Sequence, residues 1–119
     1  MTTIETGTKD LLAENIDGVG VITLNRPDAR NAMSGEMNAA LSHTLAAWEL
    51  DPAIKCIVLT GAGKGFCAGG DVKGMAASGD GTVGDNTIDG AIHAQRVTQR
   101  ATAGKLFKMP KPTIAALPG

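Results

Sequence analysis

The chain has 119 residues, the length of one domain, and 43% of them are apolar, which excludes a disordered polymer. Eleven Lys and Arg stand against twelve Asp and Glu, and no basic stripe interleaved with aromatics points to nucleic acid. No apolar run approaches the roughly 20 residues that span a bilayer, and residues 1–5 lack the basic start of a secretory leader, so no membrane partner and a cytoplasmic location are expected.

In chain order, Leu11–Ile16 and Val19–Leu24 flank Asp17-Gly18, the turn chemistry of a hairpin between two strand-like runs. Residues 25–31 break the periodicity and read as a loop. Ser34 is placed to cap a helix, and Glu36 in its first turn complements the helix dipole. Met37, Leu41, Leu45 and Trp48 recur at helical spacing, with Ala40 beside them, until Asp51-Pro52 ends the pattern. Residues 54–59 (Ile-Lys-Cys-Ile-Val-Leu) alternate and then turn fully apolar, as a buried strand does.

That strand enters a glycine-rich stretch, Thr60-Gly61-Ala62-Gly63-Lys64-Gly65-Phe66-Cys67-Ala68-Gly69-Gly70-Asp71. Its glycines let the backbone bend sharply and leave N–H groups uncovered, which suits a phosphate or an oxyanion formed during a reaction. Residues 76–90 are rich in Gly, Ser and Asp and are expected to be a flexible loop. A second helix is expected within 88–108, interrupted at Gly104 and stopped by residues 109–112. Residues 113–117 begin another short strand. The order strand, strand, helix, strand, loop, helix, strand fits an α/β or α+β layered fold.

The glycine stretch fails two nucleotide tests. A phosphate-binding P-loop needs Gly, four residues, then Gly-Lys-Ser/Thr. Gly63-Lys64 supplies the dipeptide, but Val58 holds the first glycine position and Gly65 the hydroxyl position. The dinucleotide pattern Gly-x-Gly-x-x-Gly starts at Gly61 but meets Phe66 where the third glycine should lie. Starting at Gly63 instead puts Ala68 there, but a hairpin precedes the glycines where a strand–helix unit should begin. Neither Cys56 nor Cys67 has metal-ligand spacing. Cys56 reads as a small buried hydrophobe. Cys67 reads as a reactive thiol or, more simply, as a packed one.

Four segments in register resemble the crotonase superfamily, the enoyl-CoA hydratase/isomerase family. They are residues 21–27 (Val-Ile-Thr-Leu-Asn-Arg-Pro) with Asn31-Ala32-Met33, then 57–61 (Ile-Val-Leu-Thr-Gly). Residues 64–73 (Lys-Gly-Phe-Cys-Ala-Gly-Gly-Asp-Val-Lys) follow, and 111–119 (Lys-Pro-Thr-Ile-Ala-Ala-Leu-Pro-Gly) close the set. The resemblance implies a spiral of strand–strand–helix turns, here the N-terminal part of one domain spanning 1–119 and incomplete at its C-terminus. It implies an acyl-CoA thioester as partner, with coenzyme A belonging to the substrate and no separate cofactor or metal. Assembly as a trimer or hexamer is implied for the complete protein, with a C-terminal fragment of the same protein as a further partner.

By position in the family motif, the N–H of Gly70 is one oxyanion donor. Ala29 and Arg30 contact coenzyme A, Ala68 lines its adenine and pantetheine path, and Asp71, Val72 and Lys73 lie beside the acyl group. Plainer readings stand next to these. Asp71 serves as a turn or cap acceptor, Lys73, Arg26 and Arg30 as solvated charges, and His43 and His93 as surface residues without catalytic partners. Lys105, Lys108 and Lys111 read as a solvated basic face. The family's second donor and its glutamates fall after Gly119, and Glu5, Glu14, Glu36 and Glu49 lie in the wrong segments to replace them. The expectation is therefore a fragment, inactive alone, of a hydratase or isomerase. The alternatives are a non-catalytic coenzyme A-binding fragment and a nucleotide-binding domain.

Overall fold

The computed structural model describes residues 2–69 and 88–118. Five strands form one mixed sheet in the order β1 (Thr2–Ile4), β2 (Leu11–Ile16), β3 (Val19–Leu24), β4 (Cys56–Gly61) and β5 (Thr113–Ala116). The first three are antiparallel, and β3, β4 and β5 run parallel. Three helices complete the described residues: α1 (Gly35–Leu50), α2 (Ile88–Ala101) and α3 (Ala103–Lys108).

The β2–β3 hairpin forms where its turn residues predict. Asp17 (φ 51°) and Gly18 (φ 89°) take the left-handed conformations of a two-residue turn, and Asn15 Oδ1 accepts from the N–H of Gly18 at 2.9 Å. Leu11 and Ala13 on β2, and Ile22 and Leu24 on β3, alternate onto one buried face. Helix α1 covers that face as the crossover between β3 and β4. Ser34 Oγ accepts from the N–H of Met37 at 3.1 Å, and Met37, Ala40, Leu41, Thr44, Leu45 and Trp48 are its buried stripe. The Trp48 ring lies against Gly20, where a Cβ would fall 2.5 Å from the ring. Ile54, Ile57 and Met109 complete the core. Each such aliphatic side chain contributes about 1.5–3 kcal/mol by leaving water.

Several expectations are corrected. Strand β1 carries no local signal and exists through its pairing with β2. Strand β4 starts two residues later than the apolar run and continues through Thr60 and Gly61, because Thr23 and Leu24 of β3 are there to pair with them. On β4, Cys56 and Val58 are half-buried on the face opposite Ile57, whereas half-buried Leu59 shares the face of Ile57 and packs against the core. All four residues of β5 are exposed.

Of the stretch 76–90, residues 76–87 lie outside the described residues, whereas 88–90 belong to the first turn of α2 and not to a loop. The second helix breaks at Thr102 instead of Gly104: the Thr102 hydroxyl donates to the carbonyl of Thr98 at 2.9 Å, and its backbone leaves the helical region. Two of the three lysines read as a solvated face are engaged. Lys105 pairs with Glu49 at 2.7 Å, and Lys111 Nζ donates to the carbonyls of Trp48 and Asp51 at the end of α1. These bonds fasten the residues before β5 to α1.

Candidate functional site

The parallel strands bring their connections to one end of the sheet. Leu24, the last residue of β3, lies opposite Gly61, the last of β4, and Thr60 lies opposite Ala116, the last of β5. The Thr60 hydroxyl donates to the carbonyl of Ala116 at 2.8 Å, holding the two strand ends level. Loops at the carboxyl ends of parallel strands are where α/β proteins place ligands, because they converge without filling the space between them.

The segment after β3 is rigidly built. The N–H of Asn25 donates to the carbonyl of Asp10 at 2.8 Å, and Pro27 opens a single 3-10 turn, Pro27–Ala29. Arg26 folds back on this segment: its Nη1 donates to the carbonyl of Ala32 at 2.7 Å, and its Nε lies 3.9 Å from the Asp10 carboxylate. Arg30 (φ 53°) and Asn31 (φ 58°) then turn the chain through the left-handed region.

Asn31 is 1% exposed, and its side-chain amide makes three hydrogen bonds. Oδ1 accepts from the N–H of Arg26 at 2.7 Å, and Nδ2 donates to the carbonyls of Ala62 and Gly65 at 2.9 Å each. The partners fix which end of the amide is oxygen, since an N–H can only donate and a carbonyl only accept.

The glycine loop lies against this segment. The N–H of Ala68 donates to the carbonyl of Arg30 at 2.9 Å, and the N–H of Met33 donates to the carbonyl of Gly69 at 2.7 Å. Gly61 has no space for a side chain: a Cβ would meet the carbonyl oxygen of Phe66 at 2.4 Å and Asn31 Nδ2 at 2.8 Å. Gly69 has φ 104°, a conformation that other residues rarely adopt. Cys67 packs against the core, and its sulfur accepts from the N–H of Gly69 at 3.4 Å, the position of a packed thiol in a turn.

Of the residues singled out in the sequence, three are brought together: half-buried Ala29, exposed Arg30 and exposed Ala68. Gly70, Asp71, Val72 and Lys73 lie outside the described residues. Arg26, read as a solvated charge, is instead committed to Asp10 and Ala32. Sequence reasoning missed the part played by Asn31. The only available signal was an amide side chain in a Gly- and Pro-punctuated segment, where Asn tolerates the left-handed region.

Two surface clefts, of about 470 and 390 Å³, lie along β1–β2 and between α1 and α2, and neither is lined by a residue of the glycine loop. Among the described residues, no group of three or more His, Cys, Asp or Glu is placed to hold a metal ion. No described helix is long and apolar enough to cross a membrane.

This mixed sheet with its helices has the crotonase fold. The crystal structure of an enoyl-CoA hydratase/isomerase from Marinobacter aquaeolei matches with a TM-score of 0.80 at 36% identity, over 94% of this chain and 42% of that one. The chain belongs to the enoyl-CoA hydratase/isomerase family, whose model matches residues 19–119. An enoyl-CoA hydratase of Mycobacterium tuberculosis is 37% identical over 125 residues, covering 100% of this chain and 42% of the relative. A 1,2-epoxyphenylacetyl-CoA isomerase of Escherichia coli is 38% identical over 102 residues, covering 86% and 37% respectively. The chain thus spans about two fifths of the length of these curated relatives.

Proposed function

We propose that this chain supplies one wall of an acyl-CoA site: the coenzyme A-binding rim and one of two backbone donors that hold a thioester oxyanion or enolate. The observation that carries the reading is the pairing of the glycine loop with residues 30–33, through Ala68 to Arg30 and Met33 to Gly69, at the carboxyl end of β3 and β4. That pairing holds the loop at Ala68 and Gly69, the residues that precede Gly70 in sequence. Donors aimed in advance at a developing charge need no reorganisation when the reaction occurs.

In this reading the N–H of Gly70 holds the thioester oxygen, and Ala29, Arg30 and Ala68 border the coenzyme A path. Asp71, Val72 and Lys73 flank the acyl group. The reaction is hydration or isomerisation of an acyl-CoA double bond, with coenzyme A as part of the substrate. Proton transfer to or from the α-carbon requires a positioned carboxylate or its equivalent. Glu49 is paired with Lys105, and Glu36 accepts from the hydroxyl of Thr8 at 3.0 Å, so neither is poised for that task. In this reading, as the family resemblance implies, the carboxylates, the second donor and the opposite wall come from residues outside this chain. Trimeric or hexameric assembly belongs to the same proposal.

The test is turnover of a panel of enoyl-CoA thioesters by the full protein. Gly70→Pro removes the N–H and is expected to lower kcat by about 10²–10³-fold. Gly70→Ala keeps the N–H and is expected to stay near the parent rate. Thioester binding without any turnover would favour a coenzyme A-binding module instead. Equal rates for the parent and the proline variant would remove Gly70 as a donor.

A further inference from the structure

We infer that Asn31 is the positioning residue that orients the peptide planes of the glycine loop. This rests on the acyl-CoA reading above. A trans peptide points its C=O and its N–H in opposite directions. By drawing the carbonyls of Ala62 and Gly65 inward, Asn31 turns the N–H groups of Gly63 and Phe66 away from itself. These two carbonyl oxygens are thereby kept off the exposed edge of the loop, where they would repel a bound anion.

The same side chain closes residues 26–31 upon themselves through the N–H of Arg26, and its backbone N–H donates to the carbonyl of Arg26 at 2.8 Å. One buried amide therefore couples the coenzyme A rim to the oxyanion loop, across a sequence separation of 31 to 34 residues. Gly61 is the complementary half of this arrangement, since its missing side chain leaves the space that the Asn31 amide occupies. Aspartate is the informative replacement. It tolerates the left-handed backbone and keeps the acceptor for Arg26. It cannot donate, however, and its charge faces two carbonyl oxygens.

The experiment compares the parent with Asn31→Asp and Asn31→Gly in the full protein; glycine also accepts the φ of 58° at this position. Amide hydrogen exchange is followed in residues 62–69, with α1 as internal reference, alongside kcat and KM for an enoyl-CoA thioester. In both variants, exchange in 62–69 is expected to rise about tenfold relative to α1, the change that loss of one net hydrogen bond produces. Asn31→Asp is expected to lower kcat by about tenfold or more beyond its effect on KM, and beyond the loss in Asn31→Gly.

Equal acceleration in α1 and the loop would make Asn31 a general stabiliser and overturn the inference. So would an unchanged loop. If the parent protein neither binds nor turns over thioesters, the acyl-CoA reading falls, and the exchange comparison alone decides the orienting role of Asn31.

Discussion

The amide nitrogen of Asn31 lies 2.8 Å from the point where a Cβ on Gly61 would fall, so a side chain at one position excludes a side chain at the other. The carbonyl oxygens of Phe66 and Gly65, at 2.4 and 2.8 Å from the same point, close the space from the loop side. Gly61→Ala must therefore displace backbone or break the Asn31 bonds, and cannot be absorbed by a rotamer change. A loss of about 1–3 kcal/mol is expected from overpacking. Urea denaturation of the full protein checks it, and weakened thioester binding should accompany the loss. A fully stable alanine variant would show that the loop can separate from residues 26–31 without cost.

Ser34 performs two tasks with one hydroxyl: it accepts from the N–H of Met37 and donates to the Asp10 carboxylate at 3.1 Å. Ser34→Ala is expected to cost about 1 kcal/mol, the usual value of an N-cap. Ser34→Asp keeps the cap acceptor but sets a second carboxylate beside Asp10. It should recover less stability than Ser34→Asn, measured by the same denaturation midpoint.

Lys111 and Lys108 look alike in sequence and differ in place. Lys111 donates to the carbonyls of Trp48 and Asp51, where α1 runs out of internal donors, and its charge complements the negative end of the helix. Lys108 is exposed. Lys111→Met is expected to lose about 1.5–3 kcal/mol, as for a hydrogen bond with a charged donor. Lys108→Met should stay within about 0.5 kcal/mol of the parent.

Arg26 and Arg30 separate a structural charge from a proposed binding charge. Arg26→Ala removes the bond to the Ala32 carbonyl and the pairing with Asp10, and should cost on the order of 1.5 kcal/mol. Arg30→Ala, at an exposed position already held in the left-handed region, should change stability by about 0.5 kcal/mol or less. It should weaken coenzyme A binding most at low salt, where a phosphate contact is least screened. Affinity independent of Arg30 and of salt would remove that contact from the proposed site.

Local chemistry made much of this chain legible in advance. The Asp17-Gly18 turn, the Ser34 cap and the apolar spacing of α1 are satisfied by neighbouring residues, so the sequence carries them in full. The four motif segments likewise identified the family before any geometry was known. Long-range pairing decided the rest. Strand β1 exists because Ala13, Glu14 and Asn15 offer it an edge, and β4 reaches Gly61 because Leu24 stands opposite. Lys105 and Lys111 became anchors only once α3 and the residues after it came to rest against the end of α1.

The glycine loop shows the division most plainly. Its composition announced an uncovered backbone suited to an anion, because glycines leave N–H groups bare whatever surrounds them. Which way the peptides after Ala62 and Gly65 face is not written in the loop itself. It is set by Asn31, buried across a separation of 31 residues from Ala62, because a carbonyl withdrawn from water must turn toward the donor that the fold supplies.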